Sequence, residues 1–430
     1  MVMNSKQAQK VLQSVNRKEV VKLVEEMVNI PSPTGQEKEM GVYVERKFRE
    51  LGLKTIVQWV EDDRPNVIGV LSGSGGGGSL LFDGHLDVSF SGTEDFMAGG
   101  SSTSLARVEK DWIFGVGSFN MKGAIAAYIG CVKAIIDSGV KLNGDLTIAA
   151  VTGEIEASQV DGFKGGLYRG YGRGSQYMTS HGIVPDFVIL GEPTGLKIML
   201  GHFGSFWAKI TATGGTVTHT AWSRGLLNKI EQMPKVIETF KKWKKEFESR
   251  IEYKGYNGLV NLAAIQGGRP WKGSRTPDSC SLYIDVRYPP TMSPIQIRAE
   301  LDRLVEGLNS EDPTLKIELE PYISNPATEI SKEDYIVSSI QNAHKQILNR
   351  DTEMVYDFWY SDAPSFNAAG SKAVNYGPSG ATKLEGLTLS DRDREYINIT
   401  DLINCTKIYS LVALDVCSKP RSKVRPDLSS

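Results

Sequence analysis

The chain has 430 residues, 40% of them hydrophobic and 23% charged, long enough for more than one core and too apolar for a disordered protein. Its formal charge is −2, with 49 basic residues set among 51 acids, which argues against the basic tract of a nucleic-acid or anionic-membrane binder. Cys131, Cys280, Cys405 and Cys417 stand far apart with no CxxC, so neither a zinc ribbon nor a disulfide framework is expected. The opening MVMNSKQAQK has no apolar signal segment, and no apolar run approaches the roughly 18 residues of a membrane span. A cytoplasmic protein follows as the expectation.

Residues 18–29 place Val20, Val21, Val24, Met27 and Val28 at helical spacing, and Pro31 and Pro33 end that helix. Thr34 followed by Glu37 predicts a capping box opening a second helix to about Leu51. Short apolar runs at 66–71, 79–82, 145–151 and 186–190 read as buried strands, and 121–138 as a buried helix. This alternation predicts an α/β domain with a mostly parallel sheet between helices. The GSGGGG stretch at 73–78 lacks a following GK[ST] and is a loop rather than a phosphate cradle.

Near residue 201 the texture changes. Strands at 202–213, 261–265, 281–286 and 315–319, with helices at 226–250 and 294–308, give the order strand-helix-strand-strand-helix-strand. That order suits an inserted, ferredoxin-like α/β sandwich. The expected division is 1–200 with 320–417, an insert at 201–319, and a loose tail at 418–430.

Five histidines occur, His85, His181, His202, His219 and His344, with no HExxH and no G-x-S-x-G elbow. Three successive strands end in chemistry-bearing residues instead: DGHLD with Asp83, His85 and Asp87, TGEIE with Glu154 and Glu156, and GEPT with Glu192. Sites in open parallel sheets form beyond the carboxyl ends of the strands. A neutral imidazole with carboxylates there suits zinc or manganese. Each residue also has a plainer reading: a strand-end acid as a solvated charge or cap, the histidine as a hydrogen-bonded core group, Asn120 as a helix N-cap.

GHLD, GVGSFNMKG, TGEIEAS, GEPT, GGTVTHTA and PDSCSLYIDVR stand in the order and spacing of a known family. Together they resemble the metal-dependent amidohydrolases and peptidases that include aminoacylase, carboxypeptidase G, acetylornithine deacetylase and succinyl-diaminopimelate desuccinylase. The resemblance runs to about residue 415. It implies a catalytic domain interrupted by a lid that also serves dimerisation, and a pair of zinc-type ions bridged by water and an aspartate. Position by position it implies His85 and Glu192 as metal ligands, Asp87 as the carboxylate orienting His85, and Glu154 as general base. His219 matches a lid histidine facing the substrate, and Arg287 a lid arginine for its carboxylate.

Three positions depart from the family pattern. Asn120 replaces the bridging aspartate, Ile155 the glutamate after the base, and Asp391 the histidine four residues before Glu395. The resemblance, with these losses, implies one divalent transition metal per chain (manganese or zinc, with cobalt a further candidate). Asn120 would be a neutral ligand and Asp391 a candidate one. The NMKG and GEIEA variants, with YRGYGRGSQY downstream, are similar to the branch that hydrolyses 5-nitroanthranilate. They imply an aminohydrolase releasing ammonia from an aromatic amine of that kind. The alternatives are an N-acyl-amino-acid or dipeptide amidohydrolase, and a non-catalytic binding protein. The expected partners are a small carboxylate-bearing substrate and further copies of the chain through the lid, with no nucleic acid and no membrane.

Overall fold

A computed structural model describes residues 6–91, 105–380 and 395–428. The chain divides into two units: Met1–Gly201 with Ile330–Val355 and Ser361–Ser430, and His202–Glu329 with Tyr356–Tyr360.

The first unit is built on a twisted sheet of β1 (Lys54–Glu61), β2 (Arg64–Leu71), β3 (Leu80–His85), β4 (Leu146–Val151), β5 (Phe187–Leu190), β6 (Ile198–His202) and β7 (Lys372–Asn375). Their order is β1-β2-β4-β3-β5-β7-β6. The central four, β4, β3, β5 and β7, run parallel. The flanking pairs β1–β2, β2–β4 and β7–β6 are antiparallel. Every residue of β3 and β5 is buried, as expected of parallel strands covered on both faces.

Strand alternation puts Phe82 and Gly84 on one face of β3, and Leu81, Asp83 and His85 on the other. Phe82 meets Tyr128 of helix Gly123–Ser138 and Tyr409 of helix Ile399–Cys417, with ring centroids 5.2 and 4.9 Å away. Burying that ring contributes about 1.5–3 kcal/mol. On the opposite face, Leu81, Val151 and Val188 pack with Met178 and Phe366 from the short helices Arg173–Ser180 and Ala363–Ala368. The segment Ser118–Ser138 is long and apolar enough to cross a membrane by composition, but 72% of that window is buried inside the protein. It is a core helix here.

The second unit is a four-stranded antiparallel sheet ordered Leu259–Gly267, Cys280–Tyr288, Gly204–Ala212, Ile317–Asn325. Helices Lys229–Arg250 and Pro294–Glu311 close its core through Phe240, Phe247, Ile297 and Leu301. The strand-helix-strand-strand-helix-strand order is the one the sequence predicts.

Four details differ from the sequence reading. The capping box at Thr34 does not form: helix Lys38–Glu50 has Glu37 as an N-cap with no capping bond. Thr34 gives its hydroxyl to Asp87 and Glu37 takes Arg64 instead, because buried charged partners outbid an exposed cap. Strand β1 and helix Lys6–Ser14 are additional elements. The last strand of the insert runs past residue 319 to Asn325, and residues 356–360 return to that unit. Residues 418–428 are packed rather than loose: Val424 is buried, and Arg425 and Arg421 bind the carbonyl and carboxylate of Asp186, each at 2.7 Å.

Candidate active site

The parallel strands deliver three donors to one point. β3 ends in His85 (1% exposed), the turn after β4 carries Glu154 (5%), and the turn after β5 carries Glu192 (3%). Backbone geometry fixes both turns. Gly153 has φ +68°, where a side chain would also strike the Arg64 guanidinium. A Cβ on Gly191 would lie 2.2 Å from the Tyr128 hydroxyl, so only glycine lets Glu192 approach.

His85 Nε2 stands 3.6 Å from Glu154 Oε2 and 3.8 Å from Glu192 Oε1. One ligand atom from each of the three residues lies within 4.8 Å of the others. His85 Nδ1 sits 2.7 Å from the backbone carbonyl of Asp87. With Nδ1–H engaged there, the Nε2 lone pair is the one left for a cation.

The Asp87 carboxylate lies 3.8 Å from Nδ1, beyond hydrogen-bond reach. It accepts the Glu154 and Ile155 backbone N–H groups at 3.1 and 3.2 Å and the Thr34 hydroxyl at 2.9 Å. Asp87 therefore orients the histidine through its main chain and clamps the Glu154 turn through its side chain. The Asp87 carboxylate thus meets the Glu154 turn at hydrogen-bond distance and the His85 ring only at 3.8 Å. Asn120 lies within the irregular turn Ser118–Lys122 and places Oδ1 3.0 Å from His85 Nε2. Ile155 offers no side-chain donor, and its carbonyl is taken by the Tyr171 N–H. Asp391 lies outside the described residues.

Negative charge dominates the pocket. Burial pushes Glu192 up to about 7 and Glu154 well above the usual carboxylate range, with neighbouring carboxylates adding to both. Burial pulls His85 down, but Glu192 and Asp87 outweigh it and its net shift is upward. A divalent cation would relieve this repulsion, and the donor set of one imidazole and two carboxylates fits zinc, manganese or cobalt.

Three neighbours carry no role in the sequence reading: Asp83 and Glu395, which it names, and Asp362, which it does not. Asp83 and Asp362 share the Ser175 hydroxyl, at 3.4 and 2.5 Å, deep beneath the cluster. Asp83 was legible, being two residues from His85 on the same strand face; Asp362, at the mouth of a short helix, looks like an ordinary cap. Glu395 accepts the Gly117 N–H at 2.5 Å, and burial raises it to about 7 against the pull of Lys122.

The two insert residues are described within their own unit. His219 is half-buried, and its Nδ1 accepts the Ala221 N–H at 3.1 Å. Arg287 is buried, with Nε bonded to both carboxylate oxygens of Asp285 at 3.0 and 2.9 Å and Nη1 to the Phe358 carbonyl. Its charge is already matched inside the unit.

Residues 81–415 match the model of peptidase family M20/M25/M40. An N-formyl-4-amino-5-aminomethyl-2-methylpyrimidine deformylase from Bacillus subtilis is 24% identical over 95% of this chain and 97% of its own. A succinyl-diaminopimelate desuccinylase from Pelagibacter ubique is 24% identical over 91% and 97%. Among solved structures, human carnosine dipeptidase 1 superposes with a TM-score of 0.72 at 14% identity, covering 96% of this chain and 100% of that one. The fold, the strand-end cluster and the family match converge: the chain belongs to peptidase family M20/M25/M40 and is a metal-dependent hydrolase of carbon–nitrogen bonds.

Proposed function

We propose that this protein is an amidohydrolase that removes an acyl group from the nitrogen of a small, carboxylate-bearing molecule, using one divalent transition metal per chain. The observation that carries the reading is the buried His85–Glu154–Glu192 cluster, three donors within 4.8 Å in a pocket with excess negative charge. The relatives named above support acyl–nitrogen bonds as the target. None of those names is an aromatic deaminase, so the amide-hydrolysing alternative is preferred to the aromatic aminohydrolase.

His85 and Glu192 would hold the cation with the Asn120 amide oxygen as a neutral third ligand, leaving the Glu154 carboxylate beside them as the base. When bound, the cation would supply Lewis acidity that lowers the barrier to deprotonating a water in the pocket. Glu154 takes the water's proton and passes it to the departing amine nitrogen. Its raised proton affinity suits both halves of that transfer. Asp87 keeps the carboxylate aimed by holding the Glu154 and Ile155 N–H groups. Asn120 and Ile155 replace two acids, so a second cation has too few charged ligands. Asp391 is a candidate to make up part of that loss.

The inserted unit carries the oligomer contact in this proposal, as a homodimer or larger assembly. Its edge strand Leu259–Gly267 leaves Leu259 and Ile265 exposed. His219 and Arg287 are proposed as substrate-side groups. Four unpaired, buried cysteines support a cytoplasmic setting.

The test is amine release from a panel of N-formyl, N-acetyl and N-succinyl amines and dipeptides, with 5-nitroanthranilate alongside. Chelator-sensitive hydrolysis of at least one acyl amine is expected. Ammonia release from 5-nitroanthranilate with no acyl amine hydrolysed would overturn the proposal.

A further inference from the structure

Two loops of the inserted unit are fastened side by side. The Thr220 N–H donates to the Ser274 carbonyl, the Thr276 N–H to the Thr218 carbonyl, and the Gly215 N–H to the Asp278 carbonyl, at 2.9–3.0 Å. The Thr218 N–H donates to the Thr276 hydroxyl at 2.9 Å. This zipper makes 213–228 and 268–279 one surface with a fixed shape.

That surface is unusual in two ways. Trp222 is 73% exposed and Trp271 81%, whereas a tryptophan is ordinarily one of the more buried side chains. Val217, Leu226 and Leu227 are exposed with them. The charge is also one-sided. Arg224, Arg269, Lys272 and Arg275 share the loops with a single acid, Asp278, and that acid is taken by Arg269 at 3.1 Å. Arg224, Lys272 and Arg275 are exposed and make no ion pair among the described residues. A cationic patch of this kind stands out on a chain whose net charge is −2.

We propose that these paired loops bind a planar, anionic ligand: an aromatic ring bearing a carboxylate. The indole faces offer a stacking platform, and guanidinium groups pair with carboxylates in a planar, two-pronged geometry. Charge complementarity selects the anion, and the exposed tryptophans select the ring. The binding surface belongs to this unit alone, so the inference stands or falls independently of the amidohydrolase reading.

The experiment is a titration of the full-length, metal-loaded protein with benzoate, acetate and benzamide, following tryptophan fluorescence. Benzoate should bind at least about tenfold tighter than either single-feature probe, since stacking and charge pairing each contribute about a factor of ten. Trp271→Ala and Arg275→Ala should each weaken benzoate about tenfold, and Trp271→Phe should keep binding while losing most of the quench. His85→Ala, which removes a proposed metal ligand, should bind benzoate normally. That result would separate this surface from the metal centre even if no acyl amine were hydrolysed. Equal affinity for benzoate and acetate would overturn the proposal, as would indifference to Trp271→Ala and Arg275→Ala. A change of oligomeric state in Trp271→Ala with benzoate binding unchanged would assign the surface to a second copy of the chain instead.

Discussion

The two sides of His85 differ in chemistry but not in scaffold. On one side Glu154 and Glu192 approach Nε2 at 3.6 and 3.8 Å, both charged donors on buried turns. On the other, Asn120 brings a neutral amide to 3.0 Å. Ile155 contributes only main-chain groups, its N–H to Asp87 and its carbonyl to Tyr171. Asn120 and Ile155 therefore bring no charged side chain to that side. A buried doubly charged ion needs nearby anions to offset its lost hydration. Among the described residues Glu154 and Glu192 supply them on the first side, while Asn120 and Ile155 add no charge on the second.

The strongest way to break that contrast is to remove the residue both sides share. His85→Ala should lose its metal and fall at least about 10³-fold in kcat, because the cation supplies most of the electrophilic activation; full metal occupancy in that variant would contradict the ligand assignment. Glu154→Gln keeps the shape but not the proton acceptor. It should lower kcat at least about 10²-fold with metal content unchanged, and near-normal turnover would take Glu154 out of the mechanism.

A third test uses the pocket's own charge. In the metal-free protein, burial raises Glu192 from an ordinary 4.5 to about 7, so between those values the folded chain holds a proton that the unfolded chain releases. Stability from this group is present at low pH and is lost as pH rises from 4.5 through about 7. Thermal unfolding of metal-free protein should therefore shift down by roughly 5 °C across that window, and added zinc or manganese should reverse the loss at the upper end. A flat profile would mean the cluster is not desolvated as described. The smallest effect belongs to Thr34→Val, which removes one of three hydrogen bonds to Asp87. It should cost about 1 kcal/mol of stability and a few-fold in kcat, read by denaturant unfolding beside the kinetics.

How much of this was readable beforehand follows from the kind of signal each feature leaves. Strands β3, β4 and β5 announce themselves as apolar runs, and their carboxyl ends carry His85, Glu154 and Glu192, so the cluster was legible once the sheet was taken as parallel. β1 was not, because it reads KTIVQWVE with mixed polarity and half-buried residues throughout. The Asp87 clamp could not be seen either: a carboxylate choosing backbone N–H groups over the adjacent imidazole is a matter of fractions of an ångström. Thr34 and Glu37 matched a capping pattern, and long-range partners Asp87 and Arg64 claimed them. Residues 418–428 looked loose for want of apolar content, yet Arg421 and Arg425 anchor them on Asp186. Arg287 was singled out by motif alone, whereas its pairing with Asp285, two positions earlier on the same strand face, uses its charge within the unit.

The most direct test of the central claim is the metal content of the purified, full-length protein equilibrated with zinc or manganese, measured as ions per chain by mass spectrometry. The contrast across His85 predicts about one ion per chain, held by a single imidazole–carboxylate set. A firm two per chain would contradict it, showing that Asn120 and its neighbours support a second cation despite the loss of charge.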